Sequence, residues 1–218
     1  MPRMALLAWD EISWAEFVAG LEGFRDHFTT ERASRAYAEF LDVPKGPDYA
    51  TELVRLLNRW ACRLSSDRAP VALGSWLQAH AADLEEIERL TILDARVRRD
   101  APKLGALHDD LIVSMRAGGV SNMADAAASK ALHLLQPRLF VMWDKEIRRS
   151  APEGYGAYLL QMHGLARRLA EQAPADDVEA YLQELLGYET RKTLAKYLDE
   201  YNWFEAVGRE QLAARADR

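Results

Sequence analysis

Lysine and aspartate stand at opposite ends of one apolar run in this chain. Lys130 and Asp144 bracket most of the stretch SKALHLLQPRLFVMWDKEIRRS (residues 129–150), with thirteen residues between them. A buried carboxylate stabilises the positive charge that develops on a sugar ring as its base departs, and a nearby amine attacks the anomeric carbon. Such an amine needs a lowered pKa, which burial and neighbouring cations such as Arg148 supply. Each residue alone also has a plainer reading. Asp144, as the last residue before a helix, caps free N–H groups, and Lys130 is a solvated residue of an Ala-rich helix.

The elements around the pair decide between these readings. Gly118 and Gly119 in RAGGVSN permit a left-handed helix end and a tight turn, after which Ser121 or Asn122 caps a helix containing Ala126 to Leu135. Pro137 ends that helix. The residues LFVMW then form an extended, buried return, and KEIRR after Asp144 starts another helix. Such a fold-back carries the carboxylate towards the face of the helix that holds Lys130.

Elsewhere the apolar spacing is helical, three and four rather than two, so the fold class is all-α, with roughly ten helices. A first stripe runs from Ile12 to Phe24, and Thr29-Thr30-Glu31 opens a helix with Ala33, Ala36, Tyr37, Phe40 and Leu41. Asp48 is the expected N-cap of a helix running through Leu64. Another helix is expected from about Val71 towards Leu93, with acids first and bases last across residues 83–100, and Pro102 marks a restart before a helix over 108–116. Residues 1–218 read as one α-helical domain; the PKGP and SSDRAP breaks allow an N-terminal cap (1–68) on a C-terminal core (69–218).

The composition is that of an ordinary globular chain, 49% apolar and 28% charged. The apolar start MPRMALLAWDEISW is too short for a signal peptide or a membrane span, so a cytoplasmic location without membrane partners is expected. The net charge of −6 argues against a surface devoted to nucleic acid. A local exception runs from Lys130 to Arg168, where seven basic residues face three acids. Cys62, the single cysteine, reads as a small buried residue. Zinc spacing, Walker or Rossmann loops, G-x-S-x-G, H-E-x-x-H and EF-hand loops are all missing from the sequence, so no metal or cofactor is expected.

The glycine turn between two helices, the lysine in the second, the apolar return and the aspartate that starts a further helix together resemble the helix-hairpin-helix DNA glycosylase superfamily. The same lysine-to-aspartate pattern, with P-x-L-x-x-x-W/Y-D, resembles an uncharacterised bacterial domain family. The first resemblance covers about thirty residues. It implies an orthogonal helical bundle, a hairpin that grips the DNA backbone through Gly118, Gly119 and Ser121, and Lys130 and Asp144 as the catalytic pair. It implies N-glycosidic bond cleavage in DNA or a modified nucleoside. The chain departs from the superfamily in lacking the compact L-P-G-(I/V)-G turn, in a shorter lysine-to-aspartate interval, and in having no cysteine cluster. These departures bear first on DNA binding.

Beside the pair, His133 shares a helix face with Lys130 and is a candidate base or substrate contact, or a buried structural histidine. Trp143 is a candidate for stacking on a base, or a core residue. Arg148 binds phosphate or pairs with an acid, and Tyr155, expected on a loop, lines a pocket. The basic and aromatic segment 187–206 offers a second nucleic-acid surface or a core stripe. The alternative to an enzyme is a non-catalytic helical module that binds nucleic acid or protein in a bacterial defence or stress pathway. The sequence leaves the oligomeric state open.

Overall fold

The computed structural model describes residues 9–28, 37–150 and 153–216, and these are all-helical, with no strand among them. The expected helix start at Thr29-Thr30-Glu31, with Ala33 and Ala36, lies outside the described residues; residues 37–41 are helical. Eleven α-helices are bounded. They are α1 (Trp14–Phe28), α2 (Tyr49–Arg59), α3 (Arg68–Ala79), α4 (Ala81–Ile87), α5 (Arg96–Ala117) and α6 (Asp125–Leu135). The C-terminal set is α7 (Lys145–Arg148), α8 (Tyr155–Gln172), α9 (Val178–Leu186), α10 (Leu194–Trp203) and α11 (Arg209–Ala216), with a π-helical segment, Phe204–Gly208, between the last two.

The two longest helices, α5 and α8, pack directly on each other. Their backbones meet at Gly105 and Gly156: a Cβ on Gly105 would lie 2.9 Å from the Gly156 backbone, and one on Gly156 would lie 2.7 Å from the Ala101 carbonyl. Around this axis, α3 and α6 lie against α5, and α10 joins α8 to α1. The buried residues form one cluster, which takes in Leu53 and Leu57 as well as Leu111 and Leu165 and so crosses the 68/69 division.

Several helix boundaries differ from those expected, each for a tertiary reason. Pro102 lies inside α5 and does not restart it; the apolar face with Val97, Ala101, Leu104 and Leu111 stays buried through the missing N–H. The helix expected over 71–93 is two, parted at His80, whose ring binds Asp110 of α5 at 2.9 Å and Asp83 at 3.2 Å. The acids-first, bases-last run is also interrupted, because the Ile92 N–H leaves the helix to donate to the Arg138 carbonyl at 2.7 Å. Helix α2 stops at Arg59, and Asp48 at its start makes no side-chain cap bond.

The glycine turn follows the expected pattern. The Val120 N–H donates to the Met115 carbonyl and the Gly119 N–H to that of Arg116, with Gly119 at φ 79°, which makes a Schellman ending. Neither Ser121 nor Asn122 caps α6, which begins at Asp125; the Asn122 amide instead donates to the Arg63 carbonyl at 2.8 Å.

The close approach of α5 and α8 leaves no room for a methyl group. Gly105→Ala is expected to lower stability in urea denaturation by about 1–3 kcal/mol, although alanine favours helix. Gly46→Ala, with open space around it, should stay within about 0.5 kcal/mol of wild type. Equal stability of the two variants would contradict the packing account.

Candidate functional site

After a turn through Leu139, residues 140–143 leave α6 as an extended segment that is 0–4% exposed and has no sheet partner among the described residues. Buried carbonyls need donors, and side chains of α6 and α8 supply them. The His133 Nδ1–H donates to Phe140 O at 2.6 Å, the Tyr155 hydroxyl to Val141 O at 2.8 Å and the Tyr158 hydroxyl to Met142 O at 2.9 Å. The Trp143 N–H donates to Ser129 Oγ at 2.9 Å. Because a carbonyl only accepts, His133 carries its proton on Nδ1, and Nε2 accepts from the Tyr37 hydroxyl at 2.8 Å.

This held segment delivers Asp144 to the start of α7. Its Oδ1 accepts from the Glu146 and Ile147 N–H groups at 3.0 and 3.3 Å, so the capping reading holds. Burial pushes the Asp144 carboxyl above the usual aspartate range. The two N–H bonds and the charge of Lys130 oppose the rise, and the charge of Asp199 adds to it. Lys130 and Asp144 are each the next residue after a bonded pair, Ser129 and Trp143, so the fold-back brings their backbones together.

Lys130 is half-buried, and its Nζ donates to the Trp60 carbonyl at 3.4 Å. The chain presenting that carbonyl is strained: Ala61 and Arg63 have φ of 63° and 55°, each costing roughly 1–2 kcal/mol. Asn58 clasps both backbone groups of Leu64, and Asn122 holds the Arg63 carbonyl, so the loop is fixed from two sides. Strain held by its surroundings in this way clusters at functional sites. Tyr37 stacks between Trp60 and His133 and closes the wall between this loop and α6. Cys62 lies in the same loop, its thiol pushed up by burial and partly brought back by Lys130.

Helix α10 brings a further set of charges. Lys196 Nζ lies 2.6 Å from Asp199 and 3.5 Å from Glu200, and Lys192 pairs with Glu200 at 2.8 Å. Burial works against the Lys196 ammonium, but the Asp199 and Glu200 carboxylates outweigh it and hold the group above the usual lysine range. Lys192, over the Tyr188 ring, goes the other way because burial dominates.

The other expected site residues fall into two groups. His133, Trp143 and Tyr155 are buried, at 0%, 3% and 1% exposure. Tyr155 is the first residue of α8 rather than a loop residue, and its ring stacks on His108 at 4.4 Å. The polar atoms of His133 and Tyr155 are spent inside the protein, the two His133 nitrogens on Phe140 and Tyr37 and the Tyr155 hydroxyl on Val141. Arg148, Gly118, Gly119 and Ser121 are exposed. Arg148 pairs with Asp125, and the amides of Gly118 and Gly119 donate within their own turn, not outwards towards a phosphate. In the segment 187–206, Tyr197 and Tyr201 are core residues and Lys192 is buried, which removes them from a nucleic-acid surface.

Sequence reasoning missed Lys196 and Asp199, whose spacing is that of any helical surface pair, and the strained loop, which contains no glycine to mark it. Compared with known proteins, the chain matches no family model, no curated protein and no solved structure. Among the described residues, no helix is long and apolar enough to cross a membrane, and no three His, Cys, Asp or Glu side chains are grouped to hold a metal ion.

The buried histidine makes stability depend on pH. Burial lowers the His133 pKa to about 4, the Phe140 carbonyl only partly opposing it, whereas in the unfolded chain it is near 6.5. The unfolded state therefore binds the proton first, and stability falls as pH drops below 6.5 towards 4. This group should contribute a loss of about 2 kcal/mol between pH 7 and 5, read from urea midpoints. His133→Gln should lack that part of the slope; an unchanged slope would contradict the assignment.

Proposed function

We propose that the protein cleaves an N-glycosidic bond, with Asp144 stabilising the oxocarbenium-like state and Lys130 as the amine beside it. The observation that carries this reading is the buried segment held by four side chains, which leads to Asp144 and whose Trp143 N–H is bonded to Ser129, the neighbour of Lys130; Lys130 and Asp144 are both half-buried. In the reaction the C1′–N bond breaks and its electron pair leaves with the base. Positive charge then spreads over C1′ and the ring oxygen, facing the Asp144 carboxylate. Addition to C1′ comes from water, or from Lys130 once it has lost a proton, giving a Schiff base after ring opening.

A modified free nucleoside is the favoured substrate, with DNA as the second. The amides of Gly118 and Gly119 are bonded inside their turn, and the chain is acidic overall, so little supports a grip on a long phosphate backbone. The resemblance to helix-hairpin-helix glycosylases supports the choice of bond, on the residues that carry it.

Base release from a panel of modified nucleosides and lesion-bearing DNA tests the reading. Wild type is expected to release a base from at least one member, and Asp144→Asn to be slower by about 100-fold or more, the scale of losing one electrostatic stabiliser. Borohydride trapping that disappears in Lys130→Ala would assign the nucleophile to the amine; release without trapping assigns it to water. Salt-sensitive retention of nucleic acid with no base released would instead identify a binding module.

A further inference from the structure

Helices α2, α3 and α4 and the end of α6 line a cleft of about 600 Å³, a size that holds small organic molecules. Its walls are mostly apolar, with Tyr49 and Ala50 of α2, Leu77 of α3, Leu84 of α4 and Leu135 of α6. The cleft contains neither Lys130 nor Asp144.

Two polar groups of the lining are left unanswered. Gln136 is only 8% exposed, and its Nε2 donates to the Ile87 carbonyl at 2.9 Å and to that of Glu88. Carbonyls only accept, so the amide nitrogen faces them, and Oε1 is left as an acceptor without a donor among the described residues. At the rim, Lys45 is taken by Glu88 at 3.3 Å, while the exposed Glu85 carboxylate has no ion pair among the described residues. Both unanswered groups call for a donor.

Gly74 of α3 keeps the space open. Glycine inside a helix lowers its stability relative to alanine, and a close approach of backbones is a common reason to carry one. No such approach occurs at Gly74: a Cβ there would meet only the Ala50 Cβ, at 3.9 Å, an ordinary contact. What the missing side chain leaves is volume in the cleft that both residues line.

We infer that this cleft binds an organic amine with an apolar body, its N–H groups directed to Gln136 Oε1 and Glu85 and its body against the leucines and Tyr49. Charge decides against an acid, because the unanswered groups are an amide oxygen and a carboxylate and the one lysine of the lining is already paired. A purely apolar occupant is disfavoured too, since it would cover Gln136 Oε1 without supplying a donor.

Isothermal titration of the full chain with 4-phenylbutylamine, a cation at neutral pH, tests the inference against 4-phenylbutyrate, which has the same apolar body and the opposite charge. The amine is expected to bind saturably, and the acid to bind about tenfold more weakly or not at all. In Gly74→Leu, whose side chain fills the cleft from α3, amine affinity is expected to fall about tenfold or more, with helix content checked by circular dichroism. Glu85→Gln, at an exposed position, is expected to weaken the amine about threefold and serves if the leucine variant does not fold. No saturable binding of the amine, equal binding of the acid, or unchanged affinity in either folded variant overturns the inference.

Discussion

An extended segment buried without a sheet partner is the constraint on which the site depends. Residues 140–143 cross the core where every unpaired carbonyl is a liability of about 1–3 kcal/mol, and no strand among the described residues answers them. Three rings do so instead, His133 from α6 and Tyr155 and Tyr158 from α8, while the Ser129 hydroxyl oxygen of α6 accepts from the Trp143 N–H. The arrangement fixes the segment at four successive residues, and the next residue is Asp144. A carboxylate placed by backbone held in this way has little freedom, as electrostatic stabilisation of a developing charge requires.

The same demand explains why the most suggestive side chains of the sequence are hidden. His133 and Tyr155 carry polar atoms of the kind that bind substrates, yet those atoms are committed to Phe140, Tyr37 and Val141. Tyr158 in turn accepts from Asn202 of α10, so the support of the segment runs through to the helix that carries Asp199. The close crossing at Gly105 and Gly156 is what lets α8 sit near enough to α5 for its tyrosines to reach across. Packing, hydrogen bonding and charge placement are therefore linked through one short stretch of chain.

How much of this is legible in the sequence follows from how local each cause is. The helix end at Pro137, the apolar return and the capping role of Asp144 rest on residues within a turn of one another, and the sequence announces them. The glycine turn is equally local. The breaks at His80 and Ile92 are set by Asp110 and by the Arg138 carbonyl, thirty and forty-six positions further along, which no local pattern encodes. Lys196 and Asp199 escaped because an i, i+3 pair looks the same whether water or protein surrounds it. The left-handed Ala61 and Arg63 escaped because the clasps of Asn58 and Asn122, not their own residue types, impose the conformation.

We propose Asp144 and Lys130 as the site for a sugar acquiring positive charge. Isothermal titration with a pyrrolidine nucleoside analogue, whose ring nitrogen carries that charge permanently, tests it most directly. Binding to wild type that weakens at least tenfold in Asp144→Asn is the result the account predicts, since a site complementary to the transition state holds its mimic tightly. Equal affinity of the two proteins, or no binding to either, would contradict it.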